Sequence, residues 1–279
     1  MENIEAVVFD MDGVLRIGTR IMDNAQKVLE KLNNNNIKTM IVTNECRYTV
    51  NELKDDLNEL GLTIPEECHF YTAGLSAKDY LEKKLKRFPN ETFTICVVGE
   101  LGLYSIIREL TVYPNFNLQD NPKNIKENDR IYLILGTVNK IKINHLNKIL
   151  DWVKFGAKVI TTCVDSTDPS SKGDFNLGMP SHTLHMVGYN IKTKSYSTGK
   201  PHPIHKEKIM NTLRIENPEN ILFVGDTIYS DIQLAEESNF KSCLVLSGNS
   251  NKETVKQYVT EPDYIVNNVN DILKLLRLE

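Results

Sequence analysis

The sequence predicts an α/β fold: a Rossmann-like, doubly wound parallel sheet with a second α/β domain inserted into it. Short apolar runs alternate with helical patterns along almost the whole chain, which is typical of parallel sheets covered by helices on both faces. Polar residues stand directly after several of these runs, where open α/β sheets bind their ligands. The 279 residues, of which 41% are hydrophobic, suffice for one large or two ordinary domains.

The predicted strands and helices follow one another in a regular order. Ala6–Phe9 is the first strand, and Asp23 can cap a helix whose apolar positions lie three or four apart. A second strand over 37–42 precedes a helix over roughly 49–60, and Ser76 can cap the next helix. Further strands are predicted at 93–98, 131–135, 158–161, 221–224 and 243–246, with a closing helix over 270–278.

The first strand ends in two aspartates, Asp10 and Asp12, followed by Gly13. A bare turn is one interpretation, because Asp and Gly favour turn geometry. An EF-hand loop does not fit, because a strand precedes the pair and the required glutamate is missing. Two carboxylates at a strand end repel each other unless a cation lies between them, and oxygen ligands favour a hard ion such as Mg²⁺.

Other polar residues follow later strands. Thr43 and Asn44 come directly after the second strand, although this pair is common where strands enter loops. Lys200 lies in a Gly-Lys-Pro turn and by itself could be a solvated surface lysine. Asp226 and Asp231 follow a late apolar strand; Asp231 either supports a metal site or is a carboxylate at a helix start.

Together these residues are suited to phosphoryl transfer. An aspartate nucleophile needs a metal ion and a lysine to offset the repulsion between its own charge and that of the phosphate. Thr43 and Asn44 can hold the transferring oxygens. Asp12 can protonate the leaving alkoxide and then deprotonate the attacking water.

The candidate residues fall into two groups that are far apart in the sequence. One group lies within residues 10–44 and the other within residues 200–231, and the segment between them contributes strands and helices but none of these motifs. We therefore predict a discontinuous core of residues 1–74 plus 186–279, with an inserted α/β cap of residues 75–185.

Four motifs occur in an order that is typical of a known superfamily. They are FDMDGVL at 9–15, VTN at 42–44, GKP at 199–201 and GDTIYSDI at 225–232. In these motifs the chain resembles the haloacid dehalogenase (HAD) superfamily. The resemblance extends to the NagD-type and 4-nitrophenylphosphatase-like subfamily (class IIA), which carries a large C2-type cap between the second and third motifs.

The resemblance implies a role for each matched residue. Asp10 is implied to be the nucleophile and a magnesium ligand. Asp12 is implied to be the acid and base, with its backbone carbonyl as a second ligand. Asp226 is implied to be a further ligand, which Asp231 supports.

Thr43 and Lys200 are implied to hold the phosphoryl group, next to Asn44. The chain departs from the subfamily directly after this point, where Glu45-Cys46-Arg47 replaces a second Asn and a small residue. It departs again in the cap at residues 162–165. These segments would face the leaving group, so the substrate stays open.

The resemblance implies a Mg²⁺-dependent phosphatase, that is, a phosphoric monoester hydrolase acting through an aspartyl phosphate. Its candidate substrates are small phosphorylated metabolites: nucleotides, sugar phosphates, phosphoglycolate or pyridoxal phosphate. Two alternatives stay open. One is a catalytically silent sensor or adaptor that binds a phosphorylated ligand, and the other is a phosphotransferase to an acceptor other than water.

Composition limits which binding partners and which cellular compartment we expect for this protein. The net charge of −4 gives no basic field for nucleic acid or an anionic membrane. The sequence contains no signal-like or membrane-spanning stretch, and its five scattered cysteines fit neither a disulfide framework nor a zinc site. We therefore expect a cytoplasmic protein. Similar proteins form dimers through their caps, so a homodimer is compatible with the resemblance.

Overall fold

Two parallel sheets organise the chain, which the computed structural model describes for residues 3–122, 125–165, 167–169, 175–177, 183 and 195–279. The larger is the core sheet, in which all neighbouring strands are parallel. Its strands are, in spatial order, β15 (Tyr264–Val266), β14 (Lys241–Val245), β13 (Ile221–Gly225), β1 (Ala6–Phe9), β4 (Lys38–Thr43) and β5 (His69–Thr72).

The second sheet is also parallel throughout. Its strands are, in spatial order, β12 (Ser195–Ser197), β9 (Lys158–Thr161), β8 (Arg130–Leu135), β6 (Phe93–Val98) and β7 (Phe116–Leu118). Two short antiparallel pairs complete the described strands: β2 (Arg16–Ile17) with β3 (Arg20–Ile21), and β10 (Thr167–Pro169) with β11 (Phe175–Leu177).

Helices connect most of these strands. They are α1 (Ala25–Asn34), α2 (Val50–Glu59), α3 (Ala73–Arg87), α4 (Leu101–Arg108), α5 (Ile143–Lys154), α6 (Ile204–Leu213), α7 (Gln233–Ser238), α8 (Lys252–Val255) and α9 (Ile272–Leu275). Single 3₁₀ turns occur at Glu109–Val112, Pro218–Asn220 and Val269–Asp271. Within the described residues, no helix has both the length and the apolar character that crossing a bilayer requires.

The core sheet is buried on both faces. Successive residues of a strand point to opposite faces, and along β1 the side chains of Val7 and Phe9 pack with α1, α2 and α9, whereas Ala6 and Val8 pack with α6 and α7. Each face therefore has its own apolar layer beneath helices. This arrangement confirms the predicted doubly wound α/β fold.

The second sheet forms a separate unit with its own two apolar layers. Phe93, Ile95 and Val97 of β6 pack with α3 and α4, while Cys96 and Val98 pack with α5. The predicted core segment 186–279 includes β12, which pairs with β9. We therefore propose that the inserted domain runs from the start of α3 to the end of β12, somewhat longer than the predicted 75–185.

Two helix starts differ from the sequence predictions. α3 begins at Ala73, where the Thr72 hydroxyl accepts a hydrogen bond from the Leu75 N–H, so Ser76 lies inside the helix and not at its cap. The residue before α1 is Asn24 in the left-handed region (φ 64°), not Asp23. For α2 the prediction is confirmed.

Candidate active site

The predicted site residues meet at the carboxyl end of the core sheet. β13, β1 and β4 are neighbours, and Asp226, Asp10 and Thr43 lie at or directly after their last residues. The strand order thereby joins residues from both ends of the chain. This edge is where open α/β sheets bind their ligands.

Three buried carboxylates form the centre of the site. One oxygen each of Asp10, Asp226 and Asp231 lies within 4.8 Å of the others. A π-helical turn at Ile228–Ile232 positions Asp231, and such turns are frequent at functional sites. Its Oδ2 accepts hydrogen bonds from the backbone N–H groups of Asp226 and Thr227, both at 3.1 Å. Like charges this close require nearby cations.

Lys200 supplies one of these cations. Its Nζ is buried and donates to Asp10 Oδ1 and to Asp231 Oδ1, both at 2.6 Å. Burial alone would lower the pKa of Lys200, but the two carboxylates outweigh it and raise the pKa above its ordinary value. For Asp10, burial is the larger effect and raises the pKa against the opposing charge of Lys200. Both oxygens of Asp231 are engaged by protein groups.

The site has the donor set for a hard divalent cation. Lys200 brings one positive charge against three carboxylates, and burial together with Asp231 raises the pKa of Asp226. Gly13 and Gly248 lie so close to Asp226 Oδ2 that a Cβ at either position would overlap it. Because glycine has no side chain, these two positions leave room for the Asp226 carboxylate. Oxygen-only donors of this kind fit Mg²⁺.

Asp12 lies at the border of the site. Its side chain is 31% exposed, and its Oδ1 accepts a hydrogen bond of 2.9 Å from Arg16 Nε. The Arg16 guanidinium is itself buried and also pairs with Asp56. Asp12 thus has a fixed partner and lines the cleft above Asp10.

Asn44 links three parts of the structure. Its Oδ1 accepts a hydrogen bond of 2.9 Å from the backbone N–H of Lys200, and its Nδ2 donates to Asp165 Oδ2 at 2.6 Å. Asp165 follows β9 of the second sheet, so this contact joins the core sheet to the second sheet. Thr43 is buried beside it, and its Oγ1 accepts from the Glu45 N–H at 3.1 Å. The Asn44 side chain therefore positions the lysine turn.

A cleft of roughly 590 Å³ opens above these residues, between the two sheets. Five charged residues of its lining lie outside the sequence motifs: Arg16, Glu45, Arg47, Asp56 and Asp165. Two signals were present in the sequence, since Glu45-Cys46-Arg47 and residues 162–165 are the departures from the subfamily pattern. Arg16 carried no signal, because its partners depend on the tertiary fold.

Family comparison agrees with this geometry. The family model described as haloacid dehalogenase-like hydrolase matches residues 7–112, and a second, described as HAD-hydrolase-like, matches residues 197–272. The two segments contain the three clustered aspartates and Lys200. The chain belongs to the haloacid dehalogenase-like hydrolases.

This HAD-like hydrolase is similar to phosphatases over nearly its whole length. It is 26% identical over 264 residues to a dihydroxyacetone phosphatase of Corynebacterium glutamicum. The aligned residues make up 94% of this chain and 88% of the relative. It is 27% identical over 272 residues to an acid sugar phosphatase of Staphylococcus epidermidis, which covers 97% of both chains. The predicted enzyme class, a phosphoric monoester hydrolase, is confirmed.

Solved structures share the fold of this HAD-like hydrolase. A 4-nitrophenylphosphatase of Thermotoga maritima has a TM-score of 0.80 at 22% identity (98% and 97% covered), and NagD of E. coli has 0.76 at 23% (96% and 97%). A glycerol phosphate phosphatase of Mycobacterium tuberculosis, in complex with magnesium, has 0.79 at 20% (97% and 77%). The predicted resemblance to the NagD-type and 4-nitrophenylphosphatase-like fold is confirmed.

Proposed function

We propose that this hydrolase is a Mg²⁺-dependent phosphatase that cleaves small phosphomonoesters, of the sugar and triose phosphate type, through an aspartyl phosphate on Asp10. The observation that carries the proposal is the buried contact of Lys200 Nζ with Asp10 and Asp231, next to Asp226. It combines a nucleophile, a cation and a proposed metal-binding carboxylate at one edge of the core sheet.

Asp10 is the proposed nucleophile because its carboxylate lies at the inner end of the cleft, against the cation. Lys200 offsets the repulsion between the carboxylate and the incoming phosphate dianion. Asp10 Oδ attacks phosphorus, the bond to the ester oxygen breaks, and the phosphoryl group passes to the aspartate. Thr43, which ends the neighbouring strand and lines the cleft, is the proposed donor to a phosphoryl oxygen.

Asp12 is the proposed acid and base because its partly exposed carboxylate lines the cleft close to Asp10 in the chain. It protonates the departing alkoxide and then takes a proton from the water that hydrolyses the aspartyl phosphate. Arg16 holds this carboxylate through its 2.9 Å contact. General acid–base catalysis of this kind contributes about 10²–10⁴-fold in rate.

Asp10, Asp226 and the backbone carbonyl of Asp12 would hold the metal ion. The ion would neutralise charge on the transferring phosphoryl oxygens. Asp231 supports the site from behind, because Lys200 and two backbone N–H groups already engage its oxygens. A relative of similar fold was solved with magnesium, which supports this choice of ion.

The substrate class rests on the names of the relatives, which are a dihydroxyacetone phosphatase and acid sugar phosphatases. A cleft of about 590 Å³ has room for leaving groups of this size. We also propose that the enzyme acts in the cytoplasm, because no disulfide joins its five cysteines, all of which lie in the described residues. The homodimer stays a prediction.

The test is a panel of phosphomonoesters, assayed with Mg²⁺ and after chelation with EDTA. We expect turnover of 4-nitrophenyl phosphate and triose or sugar phosphates only with the metal. Asp10→Asn should lose at least about 10³-fold in kcat while staying folded, whereas Asp23→Asn, the same change at an exposed position, should not. Wild-type rates in Asp10→Asn would exclude the aspartyl phosphate.

The same assay separates the alternatives. A silent sensor would bind phosphate esters without turnover of any of them. A phosphotransferase would yield glycerol phosphate when glycerol is added as an acceptor, whereas a hydrolase releases inorganic phosphate.

A further inference from the structure

The outer part of the cleft is lined by loops of both domains. Glu45 and Arg47 come from the loop after β4, and Asn139 comes from the segment after β8. If the phosphoryl group lies at Asp10, as the proposed function requires, the leaving group occupies this outer part. The charges of these residues therefore bear on which substrates fit.

Glu45 and Arg47 form a closed pair. The Glu45 side chain is only 3% exposed, and its Oε1 accepts hydrogen bonds from the backbone N–H groups of Cys46 (2.9 Å) and Arg47 (2.7 Å). Arg47 Nε donates to both carboxylate oxygens, at 2.9 and 3.0 Å, and one terminal nitrogen also binds Oε2. Two residues apart in sequence, they hold each other against the cleft wall.

Glu45 and Arg47 are both charged, and each charge offsets the other. Burial opposes ionisation of Glu45, yet the hydrogen bonds and charge of Arg47 hold the pKa of this carboxyl below its ordinary value. The other terminal nitrogen of Arg47 donates to Asn139 Oδ1 at 3.1 Å. The guanidinium is thus fixed from two sides and is not available as a free cation.

The remaining cations of the cleft are paired as well. Arg16 lies between Asp12 and Asp56, and Lys200 lies between two buried aspartates. Among the described residues that line the cleft, every Lys or Arg therefore has a carboxylate partner. A leaving group with its own carboxylate or phosphate would have to break one of these pairs or remain uncompensated.

We propose that Glu45 is a specificity-determining residue: by holding Arg47, it makes the cleft select phosphomonoesters with an uncharged leaving group and reject those with a second anionic group. The proposal rests on the proposed phosphatase function and adds a charge rule to it. A site of this kind discriminates because a charge left unpaired costs far more than a contact that is merely absent.

The variant Glu45→Gln tests whether the negative charge of Glu45 is what holds Arg47. The amide oxygen can still accept the two backbone hydrogen bonds, so the loop keeps its support. The amide nitrogen then faces the terminal nitrogen of Arg47 that bound Oε2, and donors do not pair with donors. That end of the guanidinium is released toward the cleft, while Nε can keep its contact with the amide oxygen. The variant thereby gains an unpaired cation for an anionic leaving group.

The test compares two substrates that differ at one carbon. Glycerol 3-phosphate carries a hydroxymethyl group where 3-phosphoglycerate carries a carboxylate. We expect the wild type to favour glycerol 3-phosphate by at least about tenfold in kcat/KM, and Glu45→Gln to reduce that preference by about tenfold, the size of one charge-assisted hydrogen bond. Glu109→Gln, the same change at a position outside the cleft, should leave the preference unchanged.

Removal of Arg47 is the complementary variant. Arg47→Gln should keep a preference at least as strong as that of the wild type, and Glu45→Gln/Arg47→Gln should lose the gain of the single Glu45→Gln variant. These two results would assign the effect to the released guanidinium and not to a general loosening of the loop. A gain that persists in the double variant would overturn the proposal.

Two other outcomes also contradict the proposal: equal kcat/KM of the wild type for both substrates, and parallel changes for both in Glu45→Gln. If thermal unfolding shows that Glu45→Gln does not fold, the ratio of the wild-type kcat/KM values for the two substrates still tests the charge rule. Activity on 4-nitrophenyl phosphate distinguishes a failure of the phosphatase function from a failure of the charge rule. Its absence in the wild type would contradict the phosphatase function, whereas its presence with an unchanged substrate ratio would contradict only the charge rule.

Discussion

Lys200 Nζ lies 2.6 Å from Asp10 Oδ1, although 190 positions separate the two residues in the chain. The contact joins the end of β1 to the turn before α6, so only an assembled core can form it. Because the same ammonium also binds Asp231, one cation holds a carboxylate at the end of β1 and another in the π-helical turn after β13. The geometry needed for the reaction is therefore coupled to the stability of the core.

Lys200→Met should affect both activity and stability. Without the ammonium, two buried carboxylates lose their cation, and we expect the free energy of unfolding in EDTA to fall by about 3 kcal/mol or more. The kcat should fall by about 10³-fold, because the charge that offsets phosphate repulsion is gone. Urea unfolding and steady-state kinetics measure the two effects.

Lys208→Met is the control, because Lys208 forms a partly exposed ion pair with Asp79 and such pairs contribute little. Added Mg²⁺ should restore part of the stability of Lys200→Met, since it replaces the missing charge. Equal unfolding midpoints of Lys200→Met and the wild type in EDTA would contradict this account of the site.

Asn44 and Asp165 should act as one unit. Asn44 Nδ2 donates to Asp165 Oδ2 at 2.6 Å, and Asn44 Oδ1 accepts from the Lys200 N–H at 2.9 Å, so Asn44 connects the lysine turn to the segment after β9. We expect Asn44→Ala and Asp165→Ala each to lower kcat/KM by about tenfold, and the double variant to lose little more than either single variant. A double-mutant cycle with glycerol 3-phosphate measures this coupling. Fully additive losses would show that the two residues act independently.

Gly248→Ala should weaken metal activation. A Cβ at this position would overlap Asp226 Oδ2, so the carboxylate has to leave its present position. We expect the Mg²⁺ concentration for half-maximal activity to rise by about tenfold, with a smaller effect on kcat at saturating metal. Gly156→Ala is the comparison: its φ of +87° makes an alanine there strained, but nothing lies within 4 Å, so it should lower stability without changing the metal requirement.

His205 should make the folded state sensitive to acid. The ring is buried against Tyr71, its Nε2 lies 3.0 Å from the Thr198 carbonyl oxygen, and burial and the charge of Lys200 lower its pKa to about 3. In the unfolded chain a histidine titrates near pH 6.5. Its contribution to stability is therefore complete above pH 6.5 and is lost as the pH falls from there toward 3.

Between pH 7 and pH 5 this linkage amounts to about 2 kcal/mol of unfolding free energy. Unfolding by urea at several pH values should show that His205→Gln, which retains a donor for the Thr198 carbonyl, has a shallower pH dependence by about that amount. His69→Gln, at an exposed position, should match the wild type. An unchanged slope in His205→Gln would mean that the ring takes up a proton in the folded state.

The strand ends were the most predictable part of the structure. Apolar runs end where the sheet ends, so Asp10, Thr43 and Asp226 could be placed at one edge from the sequence pattern alone. Lys200 could be placed there only through the resemblance, because a lysine in a short turn has no periodicity to fix its direction. Its burial between two aspartates is a product of the tertiary fold.

The outer cleft was not predictable in the same way. Glu45 and Arg47 stand out in the sequence only as a departure from the subfamily pattern, which does not predict their pairing. The charge of Arg16 is indistinguishable in a sequence from that of a solvated surface residue. Their partners are set by side-chain direction and by loop geometry, which short motifs do not encode. The predicted cap of α3 was wrong for a similar reason. Thr72 and Ser76 are both good capping residues, and only the position where β5 ends decides between them.

The central position of β1 has a consequence for synthesis on the ribosome. β1 and β4 emerge early, but β13, the other neighbour of β1, emerges only after the entire second sheet. The unit built on the second sheet can therefore fold while β1 still presents an unpaired apolar edge, the kind of surface that chaperones bind and that promotes aggregation. A nascent chain that ends between β12 and β13 would carry Asp10 but neither Asp226 nor Asp231. It would therefore lack two of the three clustered carboxylates and could not assemble the site.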